Sequence, residues 1–307
     1  MRVSSLLLFD FESKLLTEAC SKGLDYHYHC TLKKAENTLE STINLRVLLP
    51  HLATNQLRLE RDSFLASFVT FMTTPGSHND AYASTYLRQF FANQAKGVPL
   101  DKCADNDGHN TDAIDALTNI APIVVASLLR DVNDRAAMHA DVELYLRLLR
   151  KSDTIIPRFG RIYADMLANL LTRTHADPAA ALRAECVAAA KLSGFALERA
   201  VKSQYANDDP MVACYLDSAF PAMLVFAYKY ADQPARCLLA SVNAGGENVA
   251  RTASLGALLG AAWGDSSVEN GKLVQWQSEL LFRDEIAPRV DALFSAAESA
   301  EKKQSEL

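Results

Sequence analysis

Apolar side chains recur along much of the chain at spacings of three and four residues, the period of a helix that lays one stripe on a core. Ile162, Met166, Leu167, Leu170 and Leu171 show it directly. Asp177 followed by Pro178 predicts a helix start, with a capping oxygen and a ring whose missing N–H falls among donors left unpaired there anyway. That helix should run through Leu182, Cys186 and Val187 to Gly194. Strict alternation of β-branched and aromatic residues is scarce, and Ile123, Val124 and Val125 sit inside a longer helical pattern. The pattern therefore predicts an all-α protein without a sheet. Pro-Gly and Asp/Asn/Gly chemistry marks loops at 73–80 (TTPGSHND) and 97–110 (GVPLDKCADNDGHN). The polar end, 296–307, reads as a tail that frays into solvent.

Composition narrows the function classes. With 307 residues, 49% of them hydrophobic, the chain can bury a sizeable core. Its net charge of −6, with no run of Lys and Arg, argues against a nucleic-acid partner. No apolar stretch approaches the roughly 20 residues a membrane-spanning helix needs, so no membrane partner is expected either. The opening MRVSSLLLFDF is interrupted by Asp10 and is too short for a secretion signal. Six scattered cysteines without a C-x-x-C pair read as reduced thiols, and the expectation is a cytoplasmic protein.

Three polar clusters sit where a loop hands over to an apolar helix, a place where backbone N–H groups and side chains can jointly hold an ion. In the first, Ala35-Glu36-Asn37-Thr38 is either a helix start capped by Asn37 or Thr38 or a set of ligands. In the second, GHNTDAID, Asp112 and Asp115 are three apart on one face of a helix continuing through Leu117, Ile120 and Val124, preceded by His109 and Asn110. These are first-turn acids or oxygen donors for a hard cation such as Mg²⁺. The third, VNAGGENVARTASLGALLGA, combines a Gly245-Gly246 pair, the polar Glu247 and Asn248, and Gly256 and Gly260 at close-packing spacing. His27 and His29 lack a third ligand at fixed spacing and read as packing or hydrogen-bonding residues. No P-loop, G-x-S-x-G or H-E-x-x-H motif occurs.

Taken in order, YHYHCTLKKAENTLES, FMTTPGSHNDAYASTYLRQFFANQAKGVPLDKCADNDGHNTDAIDAL and VNAGGENVARTASLGALLGA are similar to a divergent branch of the ADP-ribosylglycohydrolase family, which also includes J-type crystallins. The resemblance implies a compact all-α fold with a central polar, metal-holding cleft. It implies hydrolysis of the bond joining ADP-ribose to a protein or small acceptor, so the implied partner is an ADP-ribosylated protein or small ADP-ribosyl compound. The family motif Thr-Asp-Asp-Thr falls on Ala35, Glu36, Asn37 and Thr38, and Gly-Gly-Asp-Thr-Asp-Thr falls on Gly245 to Ala250.

On this resemblance the implied metal ligands are Glu36, Asn37, Thr38 and Glu247, and Asp112 of the second cluster is a further candidate ligand that could restore a lost one. The implied catalytic acids are Glu36 and Glu247 and the implied substrate contacts Gly245, Gly246 and Asn248, with His109 and Asn110 of the second cluster as further candidates for substrate binding. The family's four metal-binding aspartates become Glu36, Asn37, Glu247 and Val249, so two carboxylates remain of four. Losing two anionic ligands removes charge that offsets repulsion between paired Mg²⁺ ions; the expectation is one ion, a weak site or none. Residues 1–23 show nothing like the Gly- and Ala-rich opening helix of the family. The expected organisation is an atypical segment 1–23, one all-α domain over 24–295 and a polar tail over 296–307. A non-catalytic ADP-ribose-binding or crystallin-like structural protein is the alternative reading.

Overall fold

In the computed structural model of the protein, described for residues 28–173, 176–264 and 268–305, the architecture is helix packed on helix. Among the described residues the only β-type pairing is an isolated antiparallel bridge between Ala113 and Tyr215. Residues 1–23 and His27 lie outside the described residues. The first rod runs through α1 (Leu39–Ile43), a π-helical turn (Asn44–Leu48) and α2 (Leu49–Thr54). It is followed by α3 (Arg61–Thr73) and α4 (Thr85–Ala95). A 3-10 turn at Ile114–Leu117 then leads into α5 (Ile120–Arg130), α6 (Arg135–Leu149) and α7 (Ile155–Thr172). The remainder comprises α8 (Pro178–Ser193), α9 (Leu197–Lys202), α10 (Leu216–Lys229), α11 (Pro234–Asn243), α12 (Val249–Trp263), α13 (Val268–Ser278) and α14 (Arg283–Ser305).

Helix α7 is the hub, packing on α5, α6, α8, α10 and α12. Its predicted stripe is buried at Ile162, Met166, Leu167 and Leu170, while Leu171 turns outward. Close approach to α6 needs a missing side chain: a Cβ at Gly160 would lie 2.6 Å from Leu146 Cδ1. The Tyr163 hydroxyl donates to the Ser254 carbonyl at 2.8 Å and ties α7 to α12. Helix α8 starts as predicted, because the Asp177 carboxylate accepts from Ala180 N–H at 3.0 Å and Gly194 closes it with φ +78. Buried Leu182 and Cys186 face the core.

Several expectations need correction. The polar end of the chain continues α14 to Ser305, and Leu293 and Ala297 bury one face of that helix. A Cβ added at Gly260 would meet nothing within 4 Å, and one at Gly256 only Leu238 Cδ2 at 4.0 Å, so neither glycine brings helices into close contact. Cys30 is disulfide-bonded, against the reading that all six cysteines are thiols; Cys103, Cys186, Cys214 and Cys237 form no disulfide. No helix of the described residues is long and apolar enough to cross a membrane.

Candidate active site

Helix α1 begins at Leu39 with no cap from Thr38, the residue at its N-cap position. The cap comes from far along the chain. Asp80 Oδ2 accepts from Leu39 N–H at 2.8 Å, and the same carboxylate pairs with His29 Nδ1 at 2.8 Å. Burial alone would raise the Asp80 carboxyl. The His29 hydrogen bond and charge, with the N–H groups of Leu39 and Tyr82, outweigh burial and hold it below the usual range.

Glu36 is buried just before this helix. Its Oε2 accepts from Lys33 N–H at 2.8 Å and from Asn79 Nδ2 at 3.3 Å, while Asn79 also donates to the Thr31 carbonyl at 2.8 Å. Glu36 therefore joins the turn at 33–36, where Ala35 sits at φ +62, to the loop that carries Asp80. Asn37 is half-buried and Thr38 buried. The acid that α1 sends inward is Glu40. Its carboxylate accepts from the Tyr86 hydroxyl at 2.8 and 2.9 Å and from Ser84 Oγ at 3.3 Å.

The second cluster folds as loop, bridge and 3-10 turn rather than as one helix. Asp107 gathers this loop: it accepts from the N–H groups of His109 and Thr111 and from Asn110 Nδ2. His109 and Asn110 are exposed, with the His109 ring stacked on Tyr215 at 4.1 Å. Asp112 accepts from Asn106 Nδ2 at 3.4 Å and lends its carbonyl to Leu216 N–H. Asp115, three residues on, points to the centre. Its Oδ1 lies 3.2 Å from Nη2 of Arg150, which is only 1% exposed.

Arg150 ends α6, and its guanidinium carbon stands 3.4 Å above the Tyr86 ring. The geometry to Asp115 is that of an ion pair without an aligned N–H, so Arg150 Nε and Nη2 and Asp115 Oδ1 are buried without a hydrogen bond. Burial opposes the Arg150 charge, but Asp115, Tyr86 and Glu40 outweigh it and push its pKa up. Glu40 is pushed up to about 7, by burial first and then by Asp115, against the pull of Arg150 and the Tyr86 and Ser84 hydroxyls.

The third cluster arrives on a strained turn. Gly245 and Gly246 hold φ +72 and +63, and a Cβ at Gly246 would fall 2.2 Å from the Val212 carbonyl oxygen, which accepts from Glu247 N–H at 2.9 Å. Only glycine fits such a backbone. Arg251 clamps the turn from behind, donating to the carbonyls of Ser241 and Gly245. Burial lowers its pKa to about 10 despite Glu247 and Asp209. Glu247 accepts from Ala250 N–H at 3.1 Å at the head of α12. Its carboxyl is raised by burial and by Asp115, against the Ala250 N–H, Arg251 and His29. Asn248 Nδ2 donates to the Val242 carbonyl at 3.1 Å and holds the same turn.

Asp115 thus acts electrostatically on Glu40, Glu247, Tyr82 and Cys214. The Tyr82 hydroxyl is pushed up to about 12 by burial, Asp115 and Glu247. Glu40, Tyr86, Arg150 and Asp115 form one buried polar centre through direct contacts, and Tyr82 and Glu247 feel the Asp115 charge. The open surface concavities lined by Asn55 and Glu60 to Ser63, and by Glu143, Arg147 and Arg161, share no residue with it.

The first two clusters bring Glu40 and Asp115 to this centre, where Glu36 and Asp112 were expected, and the third places Glu247 under the influence of Asp115. Glu40 has a signal in retrospect: it lies one helical turn after Glu36, beside Leu39 and Ile43. Arg150 closes an apolar run, Leu148-Leu149, but nothing local says that it is buried. The donors do not fit a two-ion Mg²⁺ centre. Glu36 is committed to Lys33 and Asn79, Val249 stands at a ligand position, and no three His, Cys, Asp or Glu side chains gather as a metal-holding group among the described residues.

Comparison with known families gives a match to the family model described as ADP-ribosylglycohydrolase, over residues 33–303. No curated protein matches the chain.

Proposed function

The chain belongs to the ADP-ribosylglycohydrolase family, and on that premise we propose that it hydrolyses the glycosidic bond between the ribose of an ADP-ribosyl group and its acceptor, on a modified protein or a small compound. What supports this reading is the buried centre in which Arg150 joins Asp115 and, across the Tyr86 ring, Glu40, with Glu247 under the influence of the Asp115 charge. Hydrolysis needs one group to take a proton as water bonds to the anomeric carbon, and one to supply a proton as the acceptor leaves. In this reading Glu247 takes the water proton. Glu40, with its carboxyl near 7, is the proton store for the leaving atom. Glu36 holds the turn and loop that position Asp80 and α1.

Release of free ADP-ribose from a mono-ADP-ribosylated protein tests the proposal. The wild-type chain should turn over, and Glu247→Gln should slow release by about 100-fold or more with an unchanged melting temperature. Val249 and Ala250 in place of motif side chains favour a second reading, a binder without turnover. ADP-ribose binding with no release under any condition would select it, and neither binding nor release would remove both readings.

A further inference from the structure

A fully buried guanidinium beside carboxylates is an unusual neighbour, since arginine stays charged and its burial is unfavourable unless anions compensate. Arg150 meets Asp115 at 3.2 Å, stands over Tyr86 at 3.4 Å, and through that ring's hydroxyl faces Glu40. Its Nε and Nη2 have no hydrogen bond, and neither has Asp115 Oδ1. The contact is therefore one of charge rather than of hydrogen-bond geometry. Positive charge for these carboxylates comes from Arg150, within the chain itself.

We infer that the Arg150 guanidinium is a built-in replacement for a divalent cation, neutralising Asp115 beside Glu40 so that the polar centre keeps its shape without metal. A bound Mg²⁺ next to this guanidinium would be repelled by it, because like charges a few ångströms apart in a low-dielectric interior interact unfavourably. The donor set agrees, because Mg²⁺ wants near-octahedral oxygen ligands and none of the described residues gather into such a group. The inference does not depend on turnover of an ADP-ribosyl substrate. Its readouts are melting temperature and the heat of metal binding.

The test uses the full chain, MgCl₂ alone and EDTA. Wild type should give the same melting temperature, within about 1 °C, in EDTA and in 10 mM MgCl₂, and no saturable heat on Mg²⁺ titration. Arg150→Gln leaves Asp115 and Glu40 without a cation, and Mg²⁺ should now raise its melting temperature by several degrees. Arg150→Lys, which keeps the charge, should remain indifferent to Mg²⁺. If Arg150→Gln does not fold, Arg150→Gln/Asp115→Asn removes the cation together with its closest anion; it should recover folding and show no Mg²⁺ response. Saturable Mg²⁺ binding by wild type would overturn the inference. So would an Arg150→Gln protein that folds and ignores Mg²⁺, or a double variant no better folded than the single one.

Discussion

Asp80 carries more of the local architecture than any residue of the motifs that precede it. It caps α1 at Leu39, holds His29 and receives Tyr82 N–H at 3.1 Å. Its folded-state pKa is depressed, so the stability it contributes is complete above its unfolded value, near 3.9, and is lost as pH falls through the lower folded value. Urea unfolding measured from pH 7 down to 2 should show this loss in wild type. Asp80→Asn should flatten that part of the profile and lower stability at pH 7 by about 1–3 kcal/mol; an unchanged profile would contradict the assignment. At this scale the sequence was legible in kind more than in position. Three clusters of acids could be picked out, but whether Glu36 or Glu40 turns inward depends on a capping oxygen 41 residues away, and no local pattern encodes that.

Helices were the most legible level, because their period and caps are local. The Asp177-Pro178 start, the Gly194 stop and the buried stripe of α7 all follow from residues within a few positions of one another. Glycines were less legible, since what a missing Cβ admits is set by tertiary neighbours. Gly256 and Gly260 have helix-packing spacing yet little against them, whereas Gly246 presses on Val212, more than thirty residues earlier in the chain. The two classes should respond oppositely to alanine. Gly260→Ala adds a methyl to open space inside α12 and should stabilise by about 0.5–1 kcal/mol through helix propensity and a less flexible unfolded chain. Gly246→Ala combines positive φ with a backbone collision; it should cost at least about 2 kcal/mol and weaken any activity by displacing Glu247. Chemical denaturation of the two variants beside wild type decides the matter, and equal effects would refute the distinction.

At the scale of the whole molecule, the helices matter as carriers that bring four distant segments within electrostatic reach of one another. The first rod delivers Glu40, the 3-10 turn Asp115, the end of α6 Arg150, and the Gly-Gly turn Glu247. The all-α class and the family resemblance were readable along the chain. The pairing of Arg150 with Asp115 was not, because it joins residues whose individual contexts look like an ordinary helix end and an ordinary first-turn acid. The central claim is that this shared centre recognises an ADP-ribosyl group, and calorimetric titration of ADP-ribose into the protein in EDTA and in MgCl₂ tests it most directly. Saturable binding is predicted in both buffers, weakened about tenfold or more when Asp115→Ala or Glu247→Ala removes an acid from the centre. Absence of binding in both buffers, or binding indifferent to both substitutions, would contradict it.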